Sequence, residues 1–232
     1  MVVGTTTETK FWNEPVAERA VRKPPATHAK TLRGFSIFKE TVVYHESDLE
    51  RRVSTVIQLR KDVKAIYSQF PVLSYRDAEG EWREHICDFC VVFDDGEVVA
   101  VAVKHARKSA VMSDLLKRIE AEGFLRKNKN GSTTPGAVHG IRLVTEREAT
   151  YGAYENAERI LRARRMRDDA EYDRAFEAVQ KFQGPFRFGE LLRGCENRAA
   201  RRTALLLLID ECVLLPETPA RIDDLTMLMV RR

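Results

Sequence analysis

Glu50, Asp88 and Lys104 are the residues whose types and spacing could do chemistry together. Two carboxylates and a lysine around one cleft can hold a hard divalent cation, usually Mg2+, with Mn2+ as the substitute. Such a cation polarises a phosphodiester and lowers the pKa of a bound water, while the lysine orients that water. Asp88 sits in the run Arg83–Phe93, which reads as one strand, so that Ile86, Asp88, Cys90 and Val92 share a face. An acid between apolar neighbours needs a reason, because an unpaired buried carboxylate is costly. Lys104 closes the Val-rich run Val98–Val103, and Asp94-Asp95-Gly96 between the two runs is a hairpin signal. The pairing brings Asp88 and Lys104 to the open end of the hairpin. Glu50 is offered from the first turn of the preceding helix.

Each residue also has a plainer role. Ser47 and Glu50 have capping-box spacing, the glutamate reaching back to the cap amide. Asp88 and Lys104 could form a structural ion pair, and Lys104 alone could be a solvated strand-end lysine. Glu46 is either an assistant to the cation or an acid favoured by the helix dipole. His105 and Lys108 are placed to contact phosphates or to serve as surface charges.

The elements that must position these residues follow from periodicity. Phe35–Val43 is extended. A helix begins at Ser47, with Leu49, Val53, Val56, Ile57, Leu59, Val63 and Ile66 as its apolar face. Strands are expected at Val72–Tyr75, Arg83–Phe93, Val98–Val103 and His139–Thr145, with a polar loop over Asn128–Gly136. Helices are expected over Ser109–Gly123, where the glycine suits the C′ position, and over Tyr151–Arg167. The order is α-β-β-β-α-β with a closing helix, an α/β (α+β) pattern over residues 34–168. Residues 1–33 read as an N-terminal arm. Over 169–232, helices at Tyr172–Phe182, Phe188–Arg193 and Arg198–Cys212 precede an edge strand at Thr226–Val230, the pattern of a winged helix.

Composition bounds the answer. The chain has 232 residues, 39 Lys plus Arg against 35 Asp plus Glu, and a formal charge of +4, which permits nucleic acid as a partner without demanding it. Local clusters say more: Arg159, Arg162, Arg164, Arg165 and Arg167 lie in one helical segment, and Arg198, Arg201 and Arg202 in another. They are either phosphate contacts or a solvated face. The longest apolar stretch, Ala204–Ile209, is too short to span a bilayer, and the first residues lack a basic-then-apolar leader pattern, so a cytoplasmic protein without membrane contact is expected. Cys87-Asp-Phe-Cys90 has C-x-x-C spacing. Neither Cys195 nor Cys212 completes a zinc set, and a strand is the wrong place for an acidic thiol, so packing is the expected role.

The order of elements and these residues resemble the restriction-endonuclease-like (PD-(D/E)XK) nuclease superfamily, and within it the TnsA family, the endonuclease subunit of heteromeric transposases. Ser47-Asp-Leu-Glu50 is similar to the family's Ser-x-x-Glu helix start, Cys87-Asp88-Phe89 to its Pro-Asp-Phe strand, and Ala102-Val103-Lys104 to its Glu/Gln-x-Lys. The likeness covers most of the chain from Tyr44 onward. It implies an αβββαβ core and a winged-helix-like tail that meets an ATPase regulator. It implies Mg-dependent cleavage of double-stranded DNA at transposon ends in complex with a transposase. Glu50, Asp88 and the main-chain carbonyl of Val103 would be metal ligands, Lys104 the water-positioning group, and His105, Lys108, Arg162 and Arg165 DNA contacts. Ala102 departs from the pattern, since alanine has no ligand atom. Either the remaining ligands suffice, or the acid has migrated (Glu97, Asp114 and Glu120 are nearby), or the site is silenced and the chain is a DNA- and partner-binding subunit.

Overall fold

Ser47 starts the first helix as its side chain demands. Its hydroxyl accepts the Glu50 N–H at 3.2 Å and stops the preceding strand. The computed structural model describes residues 19–21, 33–128 and 130–231. Apart from 19–21 and Arg33, the expected arm therefore lies outside the described residues. In chain order these form β1 (Gly34–Phe38), β2 (Thr41–His45), α1 (Asp48–Leu59), β3 (Val63–Ser68), β4 (Val72–Arg76), β5 (Trp82–Ile86), β6 (Phe89–Phe93) and β7 (Val98–Val103). Then come α2 (Ser109–Ala121), β8 (Leu125–Lys127), β9 (Thr133–Pro135), β10 (Gly140–Val144), α3 (Tyr151–Arg165) and α4 (Asp169–Val179). The last are β11 (Phe186–Arg187), α5 (Arg198–Asp210), β12 (Leu214–Pro216) and β13 (Met227–Val230). The architecture is mixed α/β of the α+β kind.

The central sheet has the order β10-β7-β6-β3, with β10 parallel to β7 and the other pairs antiparallel. Its alternation sorts the core into two layers. Phe89, Val91, Val101 and Val103 face Leu49 and Val53 of α1, whereas Cys90, Ala100 and Ala102 face Leu116 and Ile119 of α2. Gly123 follows α2 with φ 72°, a conformation that favours glycine. A third core joins Ile160 and Ala163 of α3 to Ala175 and Val179 of α4, Leu205 and Leu208 of α5 and Leu228 of β13. In this part β11, β13 and β12 form an antiparallel sheet in that order.

Four expectations are corrected. The helix α1 ends at Leu59, and Val63 and Ile66 belong to an edge strand of the central sheet. A spacing of three suits a helix and would split the pair across a regular strand; an irregularity in the pairing between Val63 and Ala65 lets both reach one core. The run Arg83–Phe93 is two strands, broken at Cys87–Asp88: β5 pairs with β4 in a separate hairpin and only β6 enters the central sheet. Phe188–Leu192 is a 3-10 turn rather than an α-helix. The polar loop contains β9, paired with β8.

Candidate active site

A strand break shapes the surroundings of Asp88. Phe89 pairs with Val101, so continued pairing would set residue 87 opposite Val103. Instead β5 peels away: the Cys87 N–H donates to Pro71 O at 2.9 Å, and the Gln69 N–H to the Asp88 carbonyl at 2.8 Å. The Lys104 N–H donates to Val144 O of the parallel neighbour β10 at 3.1 Å, so by alternation the Val103 N–H and C=O point to the vacated side. Asp88 fills the gap, its Oδ2 accepting the Val103 N–H at 2.7 Å. Asp88 is thus held by the break itself and not by a place in a continuous ladder.

Glu50 approaches from the first turn of α1. Its Oε1 accepts the Ser47 hydroxyl at 2.9 Å and its Oε2 accepts the Glu46 N–H at 2.7 Å, one residue before the cap amide that a capping box would use. The helix end is anchored by Arg52, which is 4% exposed. Its guanidinium donates to Asp48 at 3.0 Å and to Ala149 O at 2.5 Å and lies 4.2 Å from the centre of the Tyr151 ring.

Electrostatics tie the three groups together. Burial pushes the Asp88 carboxyl up to about 6; the Val103 N–H pulls it down, and the Glu50 charge pushes it further up against the pull of Lys104. Burial also raises Glu50, opposed by the bonds from Glu46 N–H and Ser47, with Glu46 raising it and Lys104 lowering it. Two desolvated carboxylates therefore share one lysine. Lys104 makes no direct ion pair with either, so the structural Asp88–Lys104 pair is not formed among the described residues. His85, on β5, was not foreseen as a neighbour of this centre. Burial, and then Lys104, lower its pKa. Its only sequence signal is a position three residues before Asp88.

No protein-family model matches the chain, and no curated protein matches it. The chemistry of the donor set must carry the reading by itself.

Among the described residues, no three His, Cys, Asp or Glu side chains are arranged to hold a metal ion. Magnesium, however, keeps several waters and is held through one or two carboxylates plus the phosphates of its substrate. Asp88, Glu50 and a Val103 carbonyl turned to the same gap fit that description, and a cation there would offset the burial that raises both acids and the neighbouring negative charge that adds to it. Ala102 adds nothing: it is fully buried between Leu73, Leu116 and Ile119 in the α2-side layer. Glu97, Asp114 and Glu120 are not among the groups that act on Asp88 or Glu50.

The other expected contacts lie elsewhere. His105 Nδ1 is 3.3 Å from Glu146, whose carboxylate also accepts the Ala106 N–H at 2.9 Å, so His105 is engaged at the edge of the site. Lys108 is exposed in the 3-10 turn before α2. Arg162 and Arg165 are exposed on α3, lining grooves that include none of Glu50, Asp88 or Lys104. Cys87 and Cys90 are buried, at 0% and 1% exposure, and burial pushes the Cys90 thiol up to about 12 and Cys87 upward as well. Neither thiol is suited to nucleophilic or metal chemistry. No helix among the described residues is long and apolar enough to cross a membrane.

Proposed function

We propose that this chain is a metal-dependent DNA endonuclease similar to the TnsA subunit of heteromeric transposases, cutting at transposon ends in complex with a transposase and an ATPase regulator. The observation that carries the reading is the gap beside Val103. There the desolvated Asp88, bonded to the Val103 N–H, feels the charges of Glu50 and Lys104, which supports the reading. A restriction-endonuclease-like core over 34–168 is supported by the α1–β6–β7–α2–β10 sequence of elements around that gap. A winged-helix-like unit over 169–232 is supported by α4, the 3-10 turn and α5 packed on the β11-β13-β12 sheet.

In this reading Glu50, Asp88 and the Val103 carbonyl would hold Mg2+. When bound, the ion polarises a phosphodiester and acidifies the attacking water. The protein's own groups do the rest. The Val103 N–H fixes one Asp88 oxygen and leaves the other for the cation. Glu50 is held at both oxygens, by the Ser47 hydroxyl and the Glu46 N–H, so a cation would take a remaining lone pair on one of them. Lys104 positions the water and offsets the negative charge that builds on the phosphate.

A second reading has one observation in its favour. Ala102, closed in by apolar neighbours, leaves the site an acid short, which suits a silenced nuclease fold that binds DNA and partners. Cleavage of supercoiled plasmid with Mg2+ or Mn2+ separates the two. Nicking by the parent that EDTA and Asp88→Ala abolish supports the nuclease. Cleavage by Ala102→Glu alone supports the silenced scaffold. If no version cleaves, calorimetric Mn2+ binding that Asp88→Ala removes still supports a cation site, and its absence refutes one.

A further inference from the structure

A second cavity, of about 640 Å3, opens between α3 and α5 and shares no residue with the Asp88 centre. Its floor is apolar: Ala163, Phe188, Leu206 and Ile222. Four arginines line it, Arg159 and Arg162 from α3 and Arg198 and Arg202 from α5, with no acid in the lining. Two of the four are fixed near the floor. Arg159 donates to Ile222 O at 2.8 Å, while Arg202 pairs with Asp224 at 2.7 Å and lies 5.4 Å from the centre of the Phe188 ring. Arg162 and Arg198 are exposed, one on each helix. Four guanidiniums facing one cavity repel each other, and among the described residues the pairing of Arg202 with Asp224 is their one ion pair, which leaves most of that charge uncompensated.

The size and chemistry of the cavity choose its occupant. A volume near 640 Å3 lies within the range of small-molecule sites. It is concave with a greasy floor, whereas a DNA duplex presents a broad convex backbone. Guanidinium forks match phosphate oxygens in pairs, and a phosphate brings more negative charge into a small volume than a carboxylate side chain does. A planar apolar body would cover Phe188, Leu206 and Ile222 and find guanidinium faces to stack on. We propose that this cleft binds a nucleotide, its phosphates held by the four arginines and its base lying on the apolar floor. The nucleotide is either free or the phosphorylated end of a nucleic-acid strand. This inference does not depend on the nuclease reading.

The test is calorimetric titration of the full chain at low salt with ATP, tripolyphosphate, a 5′-phosphorylated single-stranded oligonucleotide and a tetraglutamate peptide. Arg198→Gln and Arg162→Gln change exposed residues on different helices, so loss of folding in one leaves the other to decide. ATP binding weakened about tenfold by each substitution supports the site and a free nucleotide. Binding of the oligonucleotide but not ATP, with the same weakening, supports the site and a strand end. Asp88→Asn should leave either binding unchanged, which keeps this result separate from that of the cleavage assay. The proposal is overturned by any of four results: no binding, binding indifferent to both arginine substitutions, tripolyphosphate bound as tightly as ATP, or tetraglutamate bound more tightly than the nucleotides.

Discussion

Asp88→Asn should make the protein more stable at neutral pH. The Asp88 carboxyl ionises at about 6 in the fold against 3.8 in the unfolded chain. At ~1.4 kcal/mol per pKa unit, that rise corresponds to about 3 kcal/mol. Its sign follows from proton binding. Below about pH 4 both states carry the proton and the carboxyl costs nothing. As pH rises from 3.8 to about 6, the unfolded chain ionises first and the fold loses stability; above that range the full penalty remains. Asparagine keeps an oxygen to accept the Val103 N–H but has no charge to bury or to repel Glu50. Urea unfolding in EDTA should therefore show Asp88→Asn ahead of the parent by up to about 3 kcal/mol at pH 8, with the gap closing near pH 4. In the proposed reading, Mg2+ should restore the parent more than the variant, because the variant lacks the Asp88 carboxylate. A variant that is equal or less stable at pH 8 in EDTA would refute the claim that this acid is held out of water beside a second acid.

Two other buried titratable groups give simpler predictions. His45, 4% exposed, has its pKa brought down to about 4 by burial and by Arg51, opposed by Asp48, so it is neutral in the fold. The unfolded chain takes up that proton as pH falls through 6.5 and the fold does not until about 4. The protein should therefore lose up to about 3 kcal/mol across that window, and His45→Leu should flatten this part of the stability–pH curve in urea titrations. Glu171, 5% exposed, accepts from Arg201 and, at 2.9 Å, from Arg174. Glu171→Ala strands the half-buried Arg201 and should cost about 3 kcal/mol or more, seen as a lowered urea midpoint with an unchanged slope.

What could be read from the sequence divides along a physical line. Local signals were legible: Ser47 capping α1, Asp94-Asp95-Gly96 turning β6 into β7, and Gly123 ending α2. That Glu50, Asp88 and Lys104 come near one another was legible in part, from the β6–β7 turn and the start of α1, but the break that holds Asp88 was not. Non-local choices were not. Val63 and Ile66 have a helical spacing, and only the irregular pairing with β6 puts both into one core from a strand. Cys87 and Asp88 look like the middle of a strand, and nothing local says that the chain leaves one sheet for another there. His85 next to Lys104 follows from that same departure, so it was missed with it.

The strand break also explains why Ala102 need not end the chemistry in the proposed reading. In a continuous sheet, β5 would cover the Val103 N–H and C=O, and an acid on the strand would have to supply the donor atoms. Here β5 leaves, and backbone donor atoms and the Asp88 side chain occupy the same gap. The backbone of Val103 is indifferent to the residue before it. The Ala102 side chain points into a layer already filled by Leu73, Leu116 and Ile119, so an acid there would have to displace apolar packing to reach the gap. The alanine is therefore consistent with the packing of the α2-side layer. The cost falls on cation affinity alone, since one carboxylate fewer weakens the hold on a divalent ion without moving Asp88, Glu50 or Lys104.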